Sequence, residues 1–345
     1  MSDQRGRHLP AALEWTRGFV AVMLLLAFGS AFSAGTGEGQ PIKSPRIAVL
    51  NPGAPEYFND PRTCPHGFMQ GLRELGYVDG HSAQLVYRHA RGETTRLESL
   101  AAELVRLSPD VIWTHSSDAI QAVKRATTTI PIVFGVAINS VEEGLVAALA
   151  RPGGNVTGME LRDIELTGKR LQLLKEAFPT ITRVAVLVNP GLPGHEHVPG
   201  NVEPQARTLG IQLQRVEAPS PETFEAAFAA MVRARAQAAI VMDGTMFARH
   251  RQRILNIALK RRLPTMSGGR HFAEAGALIA YGAFPRELCQ RSAALVDKIL
   301  KGAKPSDLPV ELGDRFYLVI NLKTAKALGL TIPPSVLGRA DEVIE

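Results

Sequence analysis

Two successive rounds of short apolar strand and amphipathic helix constrain this chain more than anything else in it. The first round opens with a strand at Ile47–Leu50, closed by Asn51-Pro52-Gly53. A helix follows from Pro65, a good first-turn residue, with Phe68, Leu72 and Leu75 on one face and Gly76 as its stop. Leu85–Tyr87, Val111–Trp113 and Ile132–Val136 are further strands. Helices are expected over Thr94–Leu107, Ser117–Thr127 and Glu142–Ala150, the first with Leu97, Leu100, Leu104 and Leu107 three and four apart. Arg151-Pro152-Gly153-Gly154-Asn155 breaks the pattern, which then restarts. Helices at Leu166–Phe178, Val202–Leu209, Pro221–Arg235 and Phe247–Arg262 alternate with strands at Val184–Val188, Ile211–Val216, Ala239–Met242, Thr265–Met266 and Leu278–Tyr281. A helix over Glu287–Leu300 and a tail of strand (Tyr317–Ile320) and helix (Leu322–Leu328) complete the chain. Continuous apolar strands joined by amphipathic helices need parallel sheets covered on both faces. The expected fold is therefore α/β: two Rossmann-like lobes, joined through the glycine-rich break, with a cleft between them.

The first 34 residues have the parts of an export signal. Arg5, Arg7 and Arg17 precede an uncharged run, Gly18–Phe32, and small residues then allow cleavage near Ala31–Ala34. That run is 15 residues, short of the ~20 that a spanning helix needs. An uncleaved membrane anchor is the alternative. The run contains no Cys, which excludes a lipid-anchored lipoprotein at this site. The expected location is the periplasm. About 310 residues remain after cleavage, enough for two domains.

Formal net charge is +6. The leader holds three Arg, one Asp and one Glu, so its removal leaves +5, spread among helices. No Lys/Arg run interleaved with aromatics occurs, and nucleic-acid binding has no support. The two cysteines, Cys64 and Cys289, either pair in an oxidising compartment or stay as separate thiols.

In open α/β sheets a ligand sits beyond the carboxyl ends of the strands. The candidate segments are residues 51–58, 114–118, 136–140, 189–194, 243–245, 267–270 and 281–284. The ligand-binding candidates within them are Tyr57, Ser116, Ser117, Asn139, Asn189, Asp243 and Tyr281. Ser116, Ser117 and Asp118 open a helix whose free N–H groups favour an anion, although plain capping accounts for them equally. Tyr57, Phe58, Phe134, Phe247 and Phe284 are candidate pocket walls, each alone more often core.

Catalytic motifs are missing: no G-x-S-x-G, P-loop, H-E-x-x-H or strand-linked G-x-G-x-x-G. His195-Glu196-His197 has the spacing of a metal pair, but its Gly/Pro-rich setting favours a solvated loop. No metal or cofactor and no enzymatic activity are expected.

Two long stretches carry a family resemblance. The first is Ala150-Arg151-Pro152-Gly153-Gly154-Asn155-Val156-Thr157-Gly158, with Thr167-Gly168-Lys169-Arg170-Leu171 after it. The second is Ile299-Leu300-Lys301-Gly302-Ala303-Lys304-Pro305, followed by the run from Leu318 to Pro334. Over residues 46–345 the chain resembles the ABC transporter substrate-binding proteins that include the TrpX-like proteins. The resemblance implies a type I periplasmic-binding-protein fold with a three-strand hinge. Residues 46–158 plus 282–312 would form the N-terminal lobe, and 159–281 plus 313–345 the C-terminal lobe. Hinges are expected near Val156–Met159, Ala280–Ala283 and Val310–Asp314. The implied role is capture of a small, amino-acid-like or other organic solute by hinge closure, and delivery by a monomer to an ABC permease in the inner membrane.

Departures from the family pattern bear on the ligand. Asn139-Ser140, Asp243-Gly244 and Ala283-Phe284 stand where many relatives have Asp-Pro, Asp-Pro and Pro-Asp. The missing acidic side chains suggest a less cationic or more apolar solute. Two rival readings remain: a ligand-sensing subunit for a membrane receptor, and a secreted α/β enzyme.

Overall fold

The computed structural model describes residues 44–161, 163–192, 195 and 198–345. The leader, and with it the expected cleavage site, lies outside the described residues.

The first sheet takes β1 (Arg46–Asn51), β2 (Gln84–His89), β3 (Val111–Thr114), β4 (Ile132–Ile138) and β5 (Val156–Leu161). Between them run α1 (Cys64–Glu74), α2 (Leu97–Arg106) and α3 (Ser117–Ala126). The chain then passes to α4 (Asp163–Ala177), β6 (Arg183–Val188), α5 (Val198–Thr208), β7 (Gln212–Glu217), α6 (Phe224–Arg233) and β8 (Ala238–Val241). It continues through α7 (Thr245–Arg249), α8 (Arg251–Lys260), β9 (Thr265–Ser267), α9 (Arg270–Glu274) and β10 (Ile279–Gly282). Then come α10 (Pro285–Leu300), β11 (Glu311–Leu312), β12 (Tyr317–Asn321), α11 (Leu322–Leu328), α12 (Pro334–Leu337) and β13 (Glu342–Ile344).

Strand order is β11-β5-β4-β3-β1-β2 in one sheet and β13-β12-β10-β9-β8-β6-β7 in the other. Every pairing is parallel except β10 with β12. Each sheet carries apolar cores on both faces, as the unbroken apolar strands require.

Four of the sequence expectations need correction. Glu142–Ala150 forms turns rather than a helix. The glycine-rich break is not a crossing: it leads into β5, which lies beside β4 with Ile132 opposite Val156. The chain leaves the first sheet only after Leu161, beyond the boundary expected at 158 and the hinge expected at Val156–Met159, because β5 stays paired with β4 as far as Leu161, across a register shift between Phe134 and Ala137. The Phe247–Arg262 helix is broken at His250 into α7 and α8.

The second and third passages between sheets run from β10 to α10 and from β11 to β12. They are packed together. Phe284 and Tyr317 stack with centroids 4.0 Å apart, Tyr317 Oη donates to Glu287 at 2.6 Å, and Arg315 lies 4.8 Å over the Tyr317 ring.

In the first lobe α1 lies directly on α10. Thr63 caps α1, accepting from the His66 N–H at 3.4 Å. A disulfide joins Cys64 to Cys289 across the pair, which settles the open question about the two cysteines. Trp113 stacks on Phe68 at 4.0 Å and donates to Ser292 Oγ at 2.9 Å. Gly67 and Gly71 make this approach possible: a Cβ on Gly71 would lie 2.3 Å from the carbonyl oxygen of Gln290, and one on Gly67 2.2 Å from that of Arg286. Backbone cannot yield cheaply, so Gly71→Ala should destabilise the protein by about 2 kcal/mol, read as a lowered chemical-denaturation midpoint. An unchanged midpoint would show that α1 can slide on α10.

Candidate functional site

The carboxyl edges of the two sheets face each other. Arg249, at the end of α7 beyond β8, donates to the carbonyl of Gly92, beyond β2. Arg62, in the loop beyond β1, lies 3.6 Å from Glu274 of α9, beyond β9. Both contacts link loops that follow strand ends, so the space between them is bounded by the strand ends themselves. Contacts of this exposed kind contribute about 1 kcal/mol or less and are easily broken and remade.

Buried polar atoms without a protein partner collect at these edges. They are Ser116 Oγ after β3, Asn139 Nδ2 after β4, Glu143 Oε2 in the following turn, Ser267 Oγ at the end of β9 and His271 Nε2 in α9. The one other such atom among the described residues is Gln214 Oε1, on β7. Leaving a buried donor or acceptor unpaired costs about 1–3 kcal/mol. Five such atoms on facing strand ends therefore mark a place where something else completes the bonding.

The first-sheet side is built on Asn51. Its side chain donates to the Ala54 carbonyl at 3.0 Å and accepts from the Gly53 N–H at 3.1 Å. It also meets His89 Nδ1 at 3.3 Å and His115 Nε2 at 3.2 Å. Burial lowers the His115 pKa to about 4, so the imidazole is neutral at pH 7 and donates from Nε2 to Asn51 Oδ1. Ser117 Oγ donates to Glu143 Oε1 at 2.8 Å. Ser140 gives its N–H, at 2.9 Å, and its hydroxyl to Glu160 at the end of β5.

On the second-sheet side Arg170 of α4 is 1% exposed. It donates through Nε to the Tyr281 carbonyl at 2.9 Å and lies 3.4 Å from Asp243 Oδ2. Gly268 admits that pair: a Cβ there would sit 1.9 Å from Asp243 Oδ2 and 2.3 Å from Arg170 Nη2. His195 is buried; its Nδ1 accepts from the Asn189 N–H at 3.0 Å and its Nε2 donates to the Asp243 carbonyl at 2.9 Å. It staples the loops after β6 and β8, which corrects its reading as part of a solvated loop. Glu196 and His197 lie outside the described residues. Burial brings His271 down to about 4 as well.

The seven candidates thus differ in their surroundings. Ser116, Ser117 and Asn139 gather at the ends of β3 and β4 with Glu143. Asp243 and the Tyr281 backbone meet at Arg170. Asn189 closes its own turn by accepting from the Gly191 N–H at 3.0 Å. Tyr57 is 49% exposed, with its ring over Gly53. Phe58 is the aromatic beside Tyr87 and His89, at 5.3 and 5.6 Å. Phe134 and Phe247, proposed as pocket walls, are fully buried core residues, and Phe284 stacks at the crossing. Glu143, Glu160, Arg170 and His271 were not picked out from sequence. Only Arg170 had a signal, its place in the Thr167–Leu171 stretch.

Two α/β sheets joined by three passages, with unsatisfied polar groups on facing carboxyl edges, have the architecture of two-lobed binding proteins. The chain belongs to the ABC transporter substrate binding protein family, whose model matches residues 62–344. It is 25% identical over 264 residues to a tyrosine-binding protein of Clostridioides difficile (strain R20291), covering 76% of each chain. A solved structure of a conserved domain protein from Vibrio cholerae is 27% identical, with a TM-score of 0.79 over 87% of this chain and all of that one. An ABC domain from Streptococcus pneumonia, solved with L-Trp, gives the same TM-score and coverage at 24% identity and shares the fold. A leucine-binding protein, LivK of Thermotoga maritima, superposes with a TM-score of 0.56 at 16% identity over 74% of this chain and 83% of that one.

The protein is therefore the substrate-binding component of an ABC transporter, a component that captures a small molecule and serves a permease. Such components work outside the cytoplasm. Among the described residues no helix is long and apolar enough to cross a membrane.

Proposed function

We propose that the protein is exported to the periplasm with cleavage near Ala31–Ala34 and acts there as a monomer without catalysis, closing its two lobes on an amino-acid-like solute. The observation that carries the ligand class is the mixed character of the unpartnered groups. Asn139 Nδ2 can only donate, Glu143 Oε2 can accept, and Ser116, Ser267 and His271 can do either. A zwitterion with an adjacent carboxylate and ammonium complements such a set, and an apolar solute does not. The similarity to a tyrosine-binding protein supports the same class. Ser116, Ser117, Asn139, Asp243 and the Tyr281 region would line the cleft, with hinge motion at the three passages. The Arg249–Gly92 and Arg62–Glu274 contacts would form on closure.

The absence of acidic residues at 139 and 284 does not force a less cationic solute, because Glu143 puts a carboxylate into the same turn as Asn139. Native mass spectrometry of the mature chain, before and after unfolding and refolding, tests the reading. A released mass matching an amino acid or close relative is expected. A retained nucleotide or covalent adduct that turns over would instead revive the enzyme alternative.

A further inference from the structure

The turn after β4 holds a carboxylate oxygen that the protein itself does not use. Glu143 Oε1 takes the Ser117 hydroxyl at 2.8 Å, while Oε2 is buried without a partner. Asn139, 7% exposed, has its Nδ2 buried and unpartnered, and the hydroxyl of Ser116 is in the same condition. The Asn139 carbonyl accepts from the Glu143 N–H at 3.0 Å, so these two side chains leave one tight turn, with Ser116 after the neighbouring strand β3, and the three unpartnered atoms do not bond to one another.

The groups around Glu143 leave its charge unanswered. From α3 come Ser117, Asp118, Gln121, which donates to the Glu143 carbonyl at 2.8 Å, and Lys124, whose ammonium is bound to the Gly144 carbonyl. From β5 comes Glu160, and from its own turn Glu142, both acidic. Among the described residues no lysine or arginine forms an ion pair with Glu143. A metal ion fits poorly, since an amide Nδ2 is a donor and the described residues include no group of three or more acidic, His or Cys ligands.

We propose that Glu143, with Asn139 and Ser116, is the subsite for a protonated amine of the solute. The carboxylate supplies the counter-charge, and Asn139 Nδ2 donates to an acceptor on the same ligand. The proposal rests on the cleft being the solute site. It also gives binding a direction with pH. Burial, helped by Asp118, Glu160 and Glu142, raises the Glu143 pKa to about 7. Only the ionised form attracts an ammonium, so amine affinity should fall about tenfold per pH unit below 7 and level off above about 8.

The test is a thermal-shift panel of the twenty common L-amino acids with the full mature protein, backed by calorimetry on every hit. Each hit is paired with its des-amino analogue and measured at about pH 8 and pH 5.5. The wild type should bind a hit roughly thirtyfold more weakly at pH 5.5, by that tenfold-per-unit slope. Glu143→Gln should lose at least as much at pH 8 and lose the pH dependence. The control variant Glu225→Gln, exposed on α6 and not among the groups around Glu143, should bind like wild type. Equal affinity for the des-amino analogue, or wild-type affinity in a folded Glu143→Gln, overturns the subsite and leaves the solute-binding reading intact. So does binding confined to sugars or amine-free acids in a parallel panel. No binding in either panel, together with a bare chain in native mass spectrometry, overturns both.

Discussion

Joint replacement of Cys64 and Cys289 by serine should lower the melting temperature by about 10 °C. The bond closes a loop of sequence separation 225. The chain-entropy argument gives about 5 kcal/mol for a loop of that length, and a protein of this size loses roughly 2–4 °C per kcal/mol. The fold should survive, because α1 remains packed on α10 through Gly67, Gly71 and Phe68. Differential scanning calorimetry of the oxidised protein, the reduced protein and the double variant checks this. Reduced wild type should match the variant. An equal melting temperature in all three would mean that helix packing alone confines the unfolded chain. The bond also joins the layer that connects the second and third passages between lobes, since α10 runs from one to the other. Its persistence needs an oxidising compartment, which agrees with the proposed export.

Sequence pattern gave the architecture because the strands are continuous apolar runs and the helices are strongly one-sided. Val184–Val188 and Leu97–Leu107 allow few other structures. It failed where local signals compete. The hinge that the family resemblance implies near Val156–Met159 falls within the segment Val156–Leu161. That segment is a buried strand because β4 and β11 flank it and Glu160 receives Ser140. Glu142–Ala150 has the composition of a helix, yet Gly144 at φ 66° and the Ser140 carbonyl, which accepts from Leu145 and Val146, fold it into turns.

The site was legible by position and less so by residue. Strand ends are readable, so Ser116, Ser117, Asn139 and Asp243 were within reach. Glu143 and Arg170 come from the middle of a turn and a helix, and their roles depend on long-range approach. Arg170 meets Asp243, 73 residues away, through space that Gly268 leaves open. His195 misleads in the opposite sense: a Gly/Pro-rich loop suggests solvent, but both its nitrogens are used to join two strand ends.

Glu143→Gln should make the ligand-free protein more stable at pH 8 while weakening its hold on an amine. In the folded state burial raises the carboxyl from 4.5 to about 7. A raised folded pKa means that the favourable contribution is complete below about pH 4.5 and is lost as pH rises through 7. At pH 8 the side chain is charged in both states, and the folded state bears the cost of holding that charge out of water beside Asp118, Glu160 and Glu142. The shift corresponds to at most ~3 kcal/mol, reduced to roughly 1–2 kcal/mol by the solvent that still reaches the residue. Glutamine keeps the shape and an acceptor for Ser117 without the charge. The variant should therefore melt a few degrees above wild type at pH 8 and with it at pH 4.5, and the gap should open between those values. A variant less stable than wild type at pH 8 would mean that the charge is already compensated within the protein. A gain in stability coupled to a loss of affinity would mark Glu143 as a residue kept for the ligand against the interest of the fold.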